Sequence, residues 1–158
     1  MDVAEIMTRF VVSVAPSATM TEVAKTLAQH AISGVPVCEA DGRLVGIITE
    51  GDLVRPLMKS REKRRDWWLR QLAEGTDLAP DFLNYVKGSQ ASARDLMHHN
   101  VITALETTPV GDIAELMVIN DIKRVVIVRD GKLAGIVTRA DLVKTLARNP
   151  DALVNPAG

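Results

Sequence analysis

Gly46-Ile-Ile-Thr-Glu-Gly-Asp52 returns later in the chain as Gly135-Ile-Val-Thr-Arg-Ala-Asp141. Both copies follow a Gly-basic-Leu step, Gly42-Arg43-Leu44 and Gly131-Lys132-Leu133, and both run on into Leu53-Val54-Arg55 and Leu142-Val143-Lys144. A glycine, β-branched residues and then Thr-x-x-Asp predict a buried strand that turns directly into a helix. Thr followed three residues later by an acid is close to a capping box, and many helices begin this way with no ligand. The same geometry presents free backbone N–H groups and the positive end of a helix dipole, which together make an anion site. There the Thr hydroxyl can turn toward a phosphate, and the carboxylate can accept from both hydroxyls of a ribose. Two copies in one context strengthen the functional reading.

Working outward, 10–14 is β-rich and ends at Ala15-Pro16-Ser17, which predicts a strand and a turn. Met1 to Thr8 predicts one or two turns of helix before it. Thr19-Met-Thr-Glu22 reads as a capping box, and Met20, Val23, Ala24, Leu27 and Ala28 repeat at helical spacing. That helix is expected to fail near 30–34. A strand over 35–39, a turn at Ala40-Asp41-Gly42, a strand over 44–49 and a helix from about 51 to 59 complete the unit. Shifted by about 90 residues, every part recurs. Met7 falls on Met97, and Val11-Val12-Ser13 falls on Val101-Ile102-Thr103. The second helix face is Val110, Ile113, Ala114, Met117 and Val118, while Asp41-Gly42 meets Asp130-Gly131. Repeats of roughly fifty residues are too short to bury a good core alone, so the two are expected to pack together with approximate two-fold symmetry.

Between the repeats, 60–92 has no internal counterpart. It carries the basic run Lys59 to Arg65, then Trp67, Trp68, Leu69, Leu72 and Ala73 at helical spacing, and a second apolar helical pattern through Phe82 and Tyr85. This predicts a two-helix insert whose tryptophans are buried against protein. The expected organisation is repeat one over 1–59, the insert over 60–92, repeat two over 93–148 and a fraying tail over 149–158.

The 158-residue chain is 47% hydrophobic and 25% charged with a net charge of −1, which fits a folded protein and gives no global reason to bind nucleic acid or anionic membrane. The single cysteine, Cys38, excludes an intramolecular disulfide, and its Val-Pro-Val-Cys setting suggests a buried small residue. No signal-peptide pattern and no apolar run of bilayer length is present, so a cytoplasmic protein is expected. His98-His99 lack a carboxylate or thiol at metal spacing and read as a surface pair. No nucleophile–base pair or phosphate loop is visible, and the chain is read as a non-enzyme.

The order of elements, the two Gly-hydrophobic-x-Thr-x-x-Asp endings and the Ile32-Ser33-Gly34-Val35-Pro36-Val37 approach resemble the cystathionine β-synthase (CBS) domain, two of which form a Bateman module. The insert, with Trp67-Trp68-Leu69, also resembles the linker of bacterial CBS pairs that often precede a BON domain, although no BON domain is present here. The resemblance implies an α/β fold of two β-α-β-β-α repeats. It also implies a regulatory role: binding an adenosine-containing ligand (AMP, ADP, ATP, NAD or S-adenosylmethionine), with no obligatory cofactor. A homodimer and a regulated protein partner are implied as well. Carried over by position, one cleft would join Thr49 and Asp52 to Ile102, Ile122, Lys123 and Arg124. The other would join Thr138 and Asp141 to Thr8, Val12, Ile32, Ser33 and Gly34. On that assignment the basic pair would make the Thr49/Asp52 cleft the better phosphate site. Val126 stands in place of the proline found at Pro36, and His98 stands opposite Thr8, so the two clefts are not equivalent. A scaffold without ligand is one alternative. Nucleic-acid binding through the basic insert is another, and the near-neutral charge argues against it.

Overall fold

The computed structural model describes residues 1–55 and 90–154, so the expected helices of the insert, with both tryptophans, lie outside the described residues. The described elements are α1 (Met20–Gln29), β1 (Gly34–Cys38), β2 (Leu44–Thr49), α2 (Glu50–Val54), α3 (Ala93–Leu96), β3 (Thr103–Leu105), α4 (Val110–Ile119), β4 (Arg124–Arg129), β5 (Lys132–Thr138) and α5 (Arg139–Arg148). Short 3-10 turns at Val3–Glu5 and Pro150–Leu153 flank them. The fold is mixed α/β, with each repeat contributing a helix, a β-hairpin and a helix in that order.

Local chemistry explains these boundaries. Thr19 caps α1: its hydroxyl accepts from Glu22 N–H at 3.2 Å, and the Glu22 carboxylate accepts from Thr19 N–H at 3.1 Å. Helices α1 and α4 stop in the same way. After α1, Ile32 N–H donates to Leu27 O and Ala31 N–H to Ala28 O; after α4, Ile122 N–H donates to Met117 O and Asp121 N–H to Val118 O. This paired closure requires a left-handed residue, supplied by Ala31 (φ 51°) and Asp121 (φ 50°) rather than by glycine. It turns the chain so that Ser33 and Lys123 enter the next strand. The β4–β5 turn has positive φ at both Asp130 and Gly131, as a two-residue hairpin of this hand demands.

The chain separates into two compact units that do not coincide with the two repeats. One comprises Met1–Val12, Cys38–Leu44 and Asn100–Gly158; the other comprises Ser13–Val37 and Val45–His99. In the first unit β3 pairs parallel to β4, and β4 pairs antiparallel to β5 with Arg124 opposite Thr138 and a register shift between Ile127 and Val128. The far edge of β5 is extended by Thr8, which exchanges both backbone hydrogen bonds with Ile136 at 2.9 and 3.0 Å. Val3, Met7, Val110, Ile113, Met117, Val125, Ile127, Val137 and Leu142 form its core. In the second unit β1 and β2 form the hairpin, Val14 bridges Val37, and His98 exchanges both backbone bonds with Ile47 at 2.8 and 3.1 Å. Met20, Val23, Leu27, Val35, Val37, Ile48, Leu53, Ala93 and Met97 are buried there. Each repeat's opening segment thus completes the sheet of the other repeat.

This exchange gives the motif glycines their reason. A Cβ on Gly135 would lie 2.6 Å from the Met7 sulfur and 3.0 Å from Thr8 O; one on Gly46 would collide with the Met97 sulfur and lie 2.9 Å from His98 O. A methionine crosses each strand where the glycine leaves room.

Three expectations are corrected. The 10–14 stretch is not a strand: only Val14 makes a bridge, and Phe10 is 98% exposed. Val118 and its counterpart Ala28 were placed on the apolar helix faces. Both are exposed, Val118 by 80%, because only positions one, four and eight of each helix are fully buried. The tail does not fray at once: Asn149 Oδ1 accepts from Asp151 N–H at 3.2 Å, and Leu153 packs on the first unit's core.

Candidate functional site

The two Thr-x-x-Asp motifs fold alike. Asp52 Oδ2 accepts from Thr49 N–H at 2.8 Å and from the Thr49 hydroxyl at 3.1 Å. Asp141 Oδ2 accepts from Thr138 N–H and from the Thr138 hydroxyl, both at 2.8 Å. Each carboxylate therefore has one oxygen fixed by its own helix start. The next residue's N–H is satisfied by the strand entry of the same unit: Glu50 N–H donates to Ser33 O and Arg139 N–H to Lys123 O, each at 3.0 Å.

Of the residues expected in the clefts, Thr8, Val12, Ile102, Ile122, Lys123, Arg124, Thr138 and Asp141 belong to the first unit; Ile32, Ser33, Gly34, Thr49 and Asp52 belong to the second. Each expected composite set draws on both units. The hydrogen bonds link residues inside a unit. Around Asp141, Arg124 is the ladder partner of Thr138, and Arg139 Nε donates to Ile122 O at 3.2 Å. Val126 N–H donates to Ile102 O at 3.4 Å, and Thr8 borders Ile136. In the ladder Arg124 lies beside Thr138 of its own hairpin. Around Asp52, the corresponding positions are the exposed Ser33 and the buried Gly34.

The second oxygen of each carboxylate is where the motifs part. Asp141 is half-buried, and among the described residues its Oδ1 has no hydrogen-bond or ion-pair partner. Asp52 is 2% exposed, and its Oδ1 lies 2.7 Å from His98 Nε2 and 3.2 Å from an Arg55 guanidinium nitrogen. Neither contact has an aligned hydrogen-bond geometry, so Oδ1 is met by close polar and charged groups rather than by a well-directed donor. Sequence reasoning noticed His98 only as a surface residue and as a mismatch with Thr8. That mismatch was the available signal, because His98 is the residue placed at the strand edge where Thr8 stands in the other unit. Nothing in the sequence pointed to Arg55.

Outside these motifs, Glu106 pairs with Arg9 and Arg129 at the rim of the first unit. Among the described residues no cluster of His, Cys, Asp or Glu could hold a metal ion, and no helix is long and apolar enough to cross a membrane. Cys38 is buried.

The CBS domain family matches the chain twice, over residues 3–59 and 93–148. An uncharacterised protein of Methanocaldococcus jannaschii is 35% identical over 138 residues, which is 80% of this chain and 80% of the relative. The fold also superposes on CBSX2 of Arabidopsis thaliana in complex with AMP, with a TM-score of 0.69 and 25% identity, covering 93% of this chain and 96% of that one. A third similarity is to the CBS domain pair of protein MJ0100 in complex with 5-methylthioadenosine and S-adenosyl-L-methionine. Its TM-score is 0.68 at 25% identity, and the match covers 94% of this chain and 97% of that one.

Proposed function

This chain belongs to the CBS domain family and carries two copies of the domain, and from that premise we propose that it is a regulatory module that binds an adenosine-containing ligand. The ligands of the two related structures, AMP in one and 5-methylthioadenosine with S-adenosyl-L-methionine in the other, share adenosine and differ beyond the ribose. The group that recognises the ribose must therefore be a fixed acceptor for its hydroxyls. The observation that carries the reading is Asp141, whose Oδ2 is immobilised by Thr138 while Oδ1 has no hydrogen-bond or ion-pair partner among the described residues. Ile102 and Ile122 supply half-buried apolar surface for the base. Lys123 and the start of the ten-residue α5 favour an anionic substituent such as a phosphate. Binding then biases a conformational equilibrium that a regulated protein reads.

The test is a thermal-shift screen of AMP, ADP, ATP, NAD and S-adenosylmethionine, followed by calorimetry, since a ligand that binds only the native state raises its apparent stability. At least one compound is expected to stabilise the protein, and Asp141→Ala is expected to weaken its binding by about tenfold or more, the size of a hydrogen bond to a charged group. Failure of all five compounds to bind would leave the chain as a scaffold.

The same module is proposed to be a homodimer. Val118 and Ile119 on α4 and Val143 on α5, two helices packed together, are 80%, 71% and 63% exposed. Light scattering at micromolar concentration is expected to give twice the chain mass, and Val118→Asp with Val143→Asp is expected to give the monomer. A wild-type monomer would exclude the dimer.

A further inference from the structure

We infer that the two Thr-x-x-Asp motifs are not two equal ligand sites: His98 and Arg55 occupy Asp52 as a built-in substitute for ligand, leaving Asp141 as the open one of the two carboxylates. The inference deepens the adenosine reading and rests on it.

Counting acceptor positions makes the case. A carboxylate has two oxygens, and recognition of a ribose needs at least one that faces outward with room for two hydroxyl donors. In both motifs Oδ2 is used by the N–H and hydroxyl of the preceding Thr. At Asp141 the other oxygen has no partner among the described residues. At Asp52 the side chain has no solvent exposure at all, and Oδ1 is covered by His98 at 2.7 Å and Arg55 at 3.2 Å. His98 Nε2 meets Oδ1 at close polar range without an aligned hydrogen bond, and an Arg55 guanidinium nitrogen sits beside the same oxygen. A ribose hydroxyl would have to displace both groups, including the Arg55 charge, which a neutral hydroxyl does not replace.

The covering is a property of this sequence and not of the fold. His98 and Thr8 hold equivalent backbone positions, each exchanging two hydrogen bonds with the isoleucine that follows the motif glycine. Thr8 is exposed, and among the described residues its side chain makes no hydrogen bond to Asp141; its side chain is shorter than an imidazole. Arg55 has Lys144 as its counterpart, and Lys144 makes no ion pair among the described residues. Replacing one side chain, His98→Thr, copies the open motif onto the closed one.

The experiment is calorimetric titration of the full chain with AMP, comparing wild type, His98→Thr, His98→Thr with Arg55→Ala, and Asp141→Asn, each checked for folding by circular dichroism. The wild type is expected to bind one AMP per chain and to lose about tenfold or more in affinity on Asp141→Asn. The His98→Thr proteins are expected to gain a second site. Two equal sites in the wild type, or one site in every variant, would overturn the inference and leave the adenosine reading intact. Where AMP does not bind, the titration is repeated with whichever of the five compounds stabilises the protein; absence of binding by all five would overturn the adenosine reading instead. The clasp has its own readout without ligand: the 15N resonance of His98 Nε2 is expected to move in Asp52→Asn, and an unmoved resonance shows that the histidine does not occupy Asp52.

Discussion

The ends of β2 and β5 carry matching seven-residue motifs, the same pair of Thr-to-Asp hydrogen bonds and a neighbour at the equivalent strand-edge position, yet one Asp is sealed and the other open. The difference comes from residues outside the motif, His98 above all. This teaches that a repeated motif specifies a local geometry, while its availability to a ligand is decided by side chains delivered from elsewhere. In this chain the delivery is crossed: the segment that opens the second repeat supplies His98 to the first repeat's motif, and the segment that opens the first repeat supplies Thr8 to the second's.

The strongest way to break the comparison is at the crossings themselves. Gly46→Ala and Gly135→Ala each place a methyl group against a methionine sulfur and a backbone carbonyl. The sulfur is the end of a flexible side chain and can move, but the carbonyl belongs to the paired edge and cannot move without breaking it. Each substitution is expected to lower stability by about 1–3 kcal/mol, the usual size of overpacking, read as a fall in the urea midpoint. Similar losses would show that both exchanged segments are seated alike. A loss at Gly135 with none at Gly46 would show that residues 93–99 do not hold His98 in place.

Much of this was legible in the sequence. The period, the hairpins, the Thr19 cap and the strand-to-helix turns were all written in local chemistry, because Gly, Thr and Asp have few other uses at that spacing. The fold itself was legible for the same reason. The crossing of the segments was not, since a stretch such as Val3 to Thr8 fits either repeat equally well by pattern. Likewise, only the β4–β5 register shows that Arg124 lies opposite Thr138 in the ladder. Asp52 looked like Asp141 because its seal is made by a residue 46 positions away, the distance between Asp52 and His98 in the chain.

A smaller effect sharpens the contrast between the two carboxylates. Asp52→Asn keeps the shape but removes a buried charge that meets two Thr49 donors, His98 and Arg55. Its loss is expected to cost about 1–3 kcal/mol, the range for hydrogen bonds to a charged group, with the exposed ends of His98 and Arg55 placing it toward the lower part. Asp141→Asn loses only the cap contacts and is expected to cost about 1 kcal/mol or less. Urea unfolding of the two variants without ligand checks the order. Equal losses would mean that His98 and Arg55 add nothing to the hold on Asp52.

The smallest expected effect compares the caps of the two exchanged segments. In one, Asp2 N–H donates to Glu5 Oε1 at 2.9 Å; in the other, Ser92 N–H and hydroxyl both donate to Asp95 Oδ2 at 2.8 and 3.0 Å. The Ser92 N–H first, then the Ser92 hydroxyl, hold the Asp95 pKa below its ordinary value, with Arg94 adding to the effect and slight desolvation opposing it. A carboxylate whose pKa is depressed in the folded state adds stability that is complete above its unfolded-state value, near pH 4. That stability is lost as the pH falls through the lower folded-state value. The segment carrying His98 is therefore expected to loosen only in acid below about pH 4 and to be unaffected near neutrality. NMR titration of the side-chain carboxyl should show Asp95 ionising below the ordinary aspartate range. In Ser92→Ala its midpoint should rise only part of the way back, because the stronger backbone N–H contact remains. A midpoint already ordinary in the wild type, or one that Ser92→Ala leaves unmoved, would show that Ser92 does not hold Asp95 and that the cap does not anchor this segment.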